Sequence, residues 1–158
     1  MTDRLGRAIA WLFPLMALLT FVVVVLRYGF DQGSIALQEA VMYMHAMTFM
    51  LGIPYALKAG AHVRVDVFHA TLSARAKARI ELAGHVLLLF PLCGVMFLYS
   101  LGYVASAWRV FEGSPEVGGI PAVFLLKTLL PVMAVLLFLQ GIAESARHIA
   151  FLRNGGDR

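Results

Sequence analysis

Residues 82–108 have the sequence LAGHVLLLFPLCGVMFLYSLGYVASAW, which is 27 residues without an Asp, Glu, Lys or Arg. A helix that crosses a bilayer needs about 20 consecutive apolar residues, and a charge near its centre costs roughly 2.5–3.5 kcal/mol. This stretch therefore predicts a transmembrane helix. Three more stretches meet the same criterion, namely residues 8–26, 40–57 and 117–143, of which only the last contains a charged residue, Lys127.

The composition of the whole chain agrees with this interpretation. Of its 158 residues, 61% are hydrophobic and 14% are charged, whereas an ordinary soluble domain has roughly 45–50% and about 25%. The residues outside the four stretches are too few to form a second domain with its own core. The sequence predicts one all-α integral membrane domain over residues 1–158, with transmembrane helices at about residues 8–27, 39–58, 82–108 and 121–145.

The basic residues are distributed unevenly between the two sides of this domain. Ten of the 13 Lys and Arg residues lie at the termini or between the second and third helices, and the other three are Arg27, Arg109 and Lys127. Because cytoplasmic connections collect Lys and Arg, this asymmetry predicts that both termini are cytoplasmic. The pI of about 9.6 is then explained by contact with anionic lipid headgroups of the bilayer, and no nucleic-acid partner is expected.

The connection between the second and third helices is the most polar part of the chain. Ser73 precedes the alternating segment ARAKAR and belongs to the residue types that cap helix N-termini, so a helix is expected to begin at Ala74. Asp66 is expected to cap a short helix in the same way. We therefore predict a short basic interfacial helix between helices 2 and 3, which contains Val67, Phe68 and Leu72. The ARAKAR segment is predicted to lie at the level of the lipid headgroups and to run straight into helix 3.

No pattern typical of catalysis or of cofactor binding appears in the sequence. The single cysteine, Cys93, lies inside the third apolar stretch, and no nucleophile with a base, phosphate-binding glycine loop or metal-ligand cluster is present. His45 and His85 are expected at depths that differ by roughly 15 Å. Two axial ligands of one haem must lie at nearly the same depth, so we expect no haem between them. The protein is predicted to be neither an enzyme nor a cofactor carrier.

Three charged residues lie near the membrane boundary on the side opposite the termini. Arg27 ends the first helix and Glu39 begins the second, so they either form an ion pair that fixes the hairpin or are solvated separately. Lys127 either extends towards the interface or meets a carboxylate of a partner protein.

Several segments together resemble a known family. The segments RYGF (27–30), LQE (37–39) and KAGAHVRVD (58–66), with Gly52 between the last two, are similar to the small membrane subunit of tripartite ATP-independent periplasmic (TRAP) transporters. The segments SPE (114–116), GIP (119–121) and LQG (139–141) resemble the branch whose members handle 2-oxo acids and other organic carboxylates. The resemblance covers about residues 8–150.

This resemblance implies a multi-pass protein of the bacterial inner membrane that does not transport alone. Its partners would be a large multi-helix membrane subunit, which carries the substrate and sodium sites, and a periplasmic solute-binding protein. The small subunit would enlarge the stationary scaffold against which the transport domain moves. By the same resemblance, Arg27 and Glu39 would hold the periplasmic end of the first hairpin, and the connection between helices 2 and 3 would be anchored by His62, Arg64 and Asp66.

Two other functions are compatible with a four-helix membrane protein. One is a haem or quinone anchor of a redox complex, which needs histidines paired at one depth. The other is an assembly factor without a transport role. The expected depths of His45 and His85 argue against the first, and the sequence leaves the second open.

Overall fold

The computed structural model of the chain describes residues 2–60 and 72–154. Within these residues every regular element is helical, and four helical lengths are long and apolar enough to cross a membrane. We call them span 1 (Gly6–Gly29), span 2 (Ile35–Lys58), span 3 (Ala74–Arg109) and span 4 (Val123–Arg153). For the described residues, the prediction of an all-α fold with four helices long and apolar enough to cross a membrane is confirmed.

The spans are assembled from six α-helices and one π-helical segment. In chain order the elements are α1 (Thr2–Ala10), α2 (Leu12–Gly29), α3 (Ile35–Lys58), α4 (Ala74–Gly84), the π-helical segment (His85–Leu89), α5 (Phe90–Arg109) and α6 (Val123–Arg153). Span 1 combines α1 and α2, and span 2 is α3. Span 3 runs through α4, the π-helical segment and α5, and span 4 is α6.

The helices are longer than the uncharged stretches of sequence from which they were predicted. Ser73 caps α4 as predicted, because its hydroxyl accepts a hydrogen bond from the Ala76 N–H at 3.3 Å. Ser34 caps α3 in the same way through the Leu37 N–H at 3.4 Å, and α3 begins at Ile35, four residues before its predicted start. Charged and polar end turns reach past the hydrocarbon, so a test based on charge misses them. The basic segment after Ser73 is thus the first part of span 3, while the helix expected to begin at Asp66 lies outside the described residues.

Two of the four prolines inside the spans follow an interruption or an irregular turn of the helix. Pro14 has no N–H to donate to Ala10, and α1 ends at Ala10, four residues earlier. Pro91 follows the π-helical segment, in which the Phe90 N–H donates to the carbonyl of His85, five residues back. Pro54 and Pro131 lie buried inside uninterrupted helices.

The spans pack side by side in the order 1, 2, 4, 3. The main contacts join span 1 to span 2, span 2 to span 4 and span 4 to span 3. Span 4 is accordingly the most enclosed, with 28% of its apolar window buried against 6% for span 1. Large apolar side chains such as Phe21, Leu88 and Leu98 remain exposed along the spans, as expected for a protein surrounded by lipid or by membrane partners.

The array has two ends, and each collects a set of polar contacts. At one end the beginning of span 2 meets the connection between spans 3 and 4, and this is called the Glu39 end. At the other end the beginning of span 3 meets the last part of span 4 through His85 and Ser145, and this is called the His85 end. Arg27 lies in the last turn of span 1, and only five residues separate this span from span 2, so Arg27 belongs to the Glu39 end.

Candidate functional site

The connection between spans 3 and 4 is held by a carboxylate from span 2. One Glu39 oxygen accepts a hydrogen bond from the Ser114 hydroxyl, and the other accepts from the Ile120 N–H at 2.6 Å. Hydrogen bonds to an ionised carboxylate are about twice as strong as those between neutral groups. Glu39 thus ties span 2 to a connection that lies 75 to 81 residues further along the chain. We call Glu39, Ser114 and Ile120 the Glu39 clamp.

The backbone of the connection is shaped to bring both donors to Glu39. Gly118 has a φ of 82°, a left-handed conformation that glycine adopts without strain. At Gly119 a Cβ atom would lie 2.8 Å from the Glu39 Oε1 atom and would also clash with the Ser114 side chain. The absence of a side chain at Gly119 is therefore what allows the carboxylate to approach the Ile120 N–H.

A second pair of charges closes the same connection onto span 4. The Lys127 Nζ atom lies 2.7 Å from Oε1 and 2.5 Å from Oε2 of Glu112. It also lies 4.1 Å from the centre of the Tyr103 ring, which places the cation over an aromatic face. Lys127 was expected either to extend towards the interface or to meet a carboxylate of a partner protein, but the structure pairs it with a carboxylate of this chain, because the connection brings Glu112 back to the beginning of span 4.

Aromatic side chains also join the end of span 3 to the beginning of span 4. The rings of Trp108 and Phe124 have centroids 4.7 Å apart, and those of Phe111 and Phe124 have centroids 5.7 Å apart, both edge to face. Such contacts contribute about 0.5–1.5 kcal/mol beyond the burial of area. The Trp108 indole N–H also donates to the Thr128 hydroxyl at 2.9 Å. The end of span 3 and the beginning of span 4 are therefore joined independently of Glu39.

The His85 end carries a separate polar contact between spans 3 and 4. The buried His85 Nδ1 atom lies 3.0 Å from the Ser145 hydroxyl, and the His148 ring lies 5.9 Å from the His85 ring. One turn earlier on span 4, Gln140 donates to Glu144, which also pairs with Arg147 at 2.8 Å. His85 thus has a structural partner in this chain.

The described structure brings only some of the predicted site residues together. Glu39 binds the connection between spans 3 and 4, and among the described residues no hydrogen bond or ion pair joins it to Arg27. The structure therefore shows neither an ion pair between Glu39 and Arg27 nor a separately solvated Glu39. Instead, the Glu39 carboxylate accepts hydrogen bonds from a hydroxyl group and a backbone N–H that are distant in sequence. The expected anchors of the connection between spans 2 and 3 lie outside the described residues: His62, Arg64 and Asp66.

The sequence analysis missed three residues of the Glu39 end, namely Glu112, Ser114 and Ile120. A signal was present for two of them, since SPE (114–116) and GIP (119–121) are two of the segments that carry the resemblance to TRAP transporters. For Glu112 no local signal existed, because its role depends on how the connection folds back onto span 4.

A comparison with protein families decides which kind of subunit this arrangement belongs to. The family model described as "Tripartite ATP-independent periplasmic transporters, DctQ component" matches residues 16–151, which is most of the chain and includes both ends of the array. The chain belongs to the DctQ family. A search of curated proteins finds no match.

Membership of the DctQ family confirms the resemblance and favours a transporter subunit over a redox anchor. DctQ proteins are the small membrane subunits of TRAP transporters, which work with a large membrane subunit and a periplasmic binding protein. They are transporter components and not an enzyme family. With four apolar spans, this chain is a multi-pass membrane protein of that system.

Proposed function

We propose that this DctQ-family chain is a stationary scaffold that braces the large subunit while the latter moves an organic acid across the inner membrane. The periplasmic binding protein would deliver the acid at the Glu39 end, with both termini on the cytoplasmic side. The organic-acid class is supported by the resemblance of SPE (114–116) and GIP (119–121) to the branch that handles such substrates.

The Glu39 clamp is the observation that carries this proposal. It ties span 2 to the connection between spans 3 and 4, while Lys127 and Glu112 tie that connection to span 4. At the other end His85 and Ser145 tie span 3 to span 4. Spans 3 and 4 are therefore joined at both ends of the array, and span 2 is joined to them through the connection at the Glu39 end. A body that resists the motion of a partner requires such contacts.

The positions of the acidic side chains also support a passive role. A carrier that couples transport to an ion needs an ionisable group at membrane depth whose charge or partner alternates. Among the described residues of the spans, the acids are Glu39, Glu81 and Glu144, each within the polar contacts or turns near an end of the array. Substrate and coupling-ion sites are therefore expected in the large subunit.

The first test is to tag this chain in its native membrane, solubilise it gently and identify what co-purifies. We expect a stoichiometric, large multi-helix membrane protein, and we expect deletion of the tagged chain to abolish uptake of a labelled organic acid from a panel of mono- and dicarboxylates. Co-purification of a flavin or iron–sulfur protein, or unchanged uptake by the deletion strain, would contradict the proposal.

The bracing role can be tested separately from assembly. In a Cys93→Ser background, His85→Cys and Ser145→Cys place one thiol on each span, at two positions whose present side chains meet with 3.0 Å between Nδ1 and the hydroxyl oxygen. Oxidation would then link spans 3 and 4 covalently. If the chain is a stationary brace, uptake should be the same before and after oxidation of this variant. A loss of uptake that a reductant reverses would show that spans 3 and 4 must move relative to each other.

A further inference from the structure

Span 2 presents one exposed stripe that no other span covers. Gln38, Met42, His45 and Phe49 are exposed, and Gly52 continues the stripe with open space where a Cβ atom would lie. Their spacing of four, three, four and three residues places all five on one face of the helix, and it is the spacing by which one helix packs against another. The stripe therefore has the geometry of a helix-packing surface.

Span 1 turns this stripe into one wall of a groove. Two cavities adjoin along the seam between spans 1 and 2, and both are lined by Phe13 and His45. One has a volume of about 760 Å³ and extends towards Gln38, and the other has a volume of about 510 Å³ and extends towards Ala56. From Gln38 to Ala56 the groove is about 27 Å long, close to the hydrocarbon thickness of about 30 Å.

His45 lies near the middle of this groove and within the apolar part of span 2. It is about 15 Å along the helix axis from Ile35 and about 20 Å from Lys58, the two ends of span 2. Its side chain is exposed, and within residues 2–60 and 72–154 it makes no hydrogen bond or ion pair. A polar side chain facing hydrocarbon at this depth is unfavourable unless a neighbour supplies a hydrogen-bonding group.

Building on the proposed function, we propose that the groove seats one transmembrane helix of the large subunit, which brings a carboxylate, amide or hydroxyl group to His45. A lipid acyl chain reaches only about half of the hydrocarbon thickness and offers no hydrogen-bonding group, while lipid headgroups lie at the ends of the span. A spanning helix with one polar side chain matches both the length of the groove and the chemistry of the imidazole.

The test places a photo-crosslinking residue, p-benzoylphenylalanine, at Phe49 of the tagged chain in native membranes. On illumination we expect a product whose mass and peptides identify the large subunit. His45→Leu should lower the crosslink yield and the amount of co-purified large subunit by about three- to tenfold, and His45→Gln should restore most of both. Met42→Leu is the matched control, because it alters the same stripe without removing a polar group, and its yield should be unchanged.

The possible outcomes separate this inference from the proposed function. Crosslinks only to lipid or to a second copy of the chain, or an unchanged yield in His45→Leu, would overturn the groove assignment while co-purification of the large subunit upholds the proposed function. If the unmodified chain co-purifies with no large subunit, both fail.

Discussion

At the residue scale, two carboxylates organise the Glu39 end, and they do so in different ways. Glu39 accepts hydrogen bonds from Ser114 and from the backbone of Ile120, whereas Glu112 pairs with the ammonium group of Lys127. The first contact fixes the path of a connection and the second neutralises a charge. Substitutions at the two sites should therefore have different consequences.

Replacing Glu39 should destabilise the chain through the donors that it leaves behind. Glu39→Ala leaves the Ile120 N–H without its acceptor, and such a loss costs about 1–3 kcal/mol. The measurement is unfolding in mixed micelles followed by tryptophan fluorescence, since Trp108 packs against Phe111 at the end of the same connection. The control is Glu116→Ala, because that side chain is exposed on the same connection. Equal losses in the two variants would contradict the clamp.

The ion pair between Lys127 and Glu112 should respond asymmetrically to neutralisation. The Lys127 side chain is 14% exposed and that of Glu112 is 37% exposed. Glu112→Gln leaves an enclosed ammonium group without its partner, while Lys127→Met leaves a carboxylate that reaches water. We expect Glu112→Gln to be the more destabilising in the same unfolding assay, and addition of Lys127→Met to recover part of the loss. The reverse order would show that Lys127 is well solvated.

At the element scale, the packing of spans 3 and 4 depends on one glycine and one irregular turn. Gly141 of span 4 lies against Leu89 and Phe90 of span 3, where the π-helical segment ends before Pro91. Span 3 also carries a surface of small residues, formed by Gly94, Gly102, Ala105 and Ser106. The structure leaves open space at Gly94 and Gly102, so within the described residues the contact surface lies elsewhere.

A methyl group at Gly141 should therefore separate the two spans. A Cβ atom there would lie 2.7 Å from Leu89 Cδ2 and 3.0 Å from Phe90 Cε1. Overpacking of this kind costs about 1–3 kcal/mol, which should exceed the gain of about 1 kcal/mol from placing alanine in a helix. Gly102→Ala is the matched control and should be neutral or stabilising. If both variants unfold alike, spans 3 and 4 do not approach closely at Gly141.

At the scale of the whole molecule, the array has two distinct ends, and the charge distribution, not the packing of the spans, predicts which of them faces the cytoplasm. Four membrane crossings would return the chain to the side on which it began, so both termini are expected on the same side, and the excess of Lys and Arg predicts that this side is cytoplasmic. The Glu39 end would then face the periplasm, where the binding protein docks in the proposed function.

Thiol labelling in intact cells tests this orientation. In the Cys93→Ser background, Val117→Cys places a thiol at a residue that is 93% exposed on the connection between spans 3 and 4. We expect a membrane-impermeant maleimide to label it in intact cells. Ala74→Cys, exposed at the beginning of span 3, should react only after the cells are lysed. The opposite pattern would invert the topology and place the Glu39 end in the cytoplasm.

The sequence by itself determined the number of spans, their approximate positions and the family. Apolar length without charge is sufficient to define a transmembrane helix, since the hydrocarbon core excludes charged side chains regardless of the neighbours. A local cap such as Ser73 was equally predictable, because its hydrogen bond closes within three residues. The predicted helices were too short where polar turns continue the helix past the hydrocarbon, as before Glu39 and after Glu144.

Only the tertiary structure decided the order of the spans and the partners of the charged residues. Hydropathy does not indicate which face of an apolar helix meets another helix, so the 1, 2, 4, 3 arrangement could not be inferred from it. The acceptor role of Glu39 towards Ile120 and the enclosure of Lys127 by Glu112 follow from that arrangement. Both depend on which segments become neighbours in space, and residues far apart along the chain carry no local trace of that proximity.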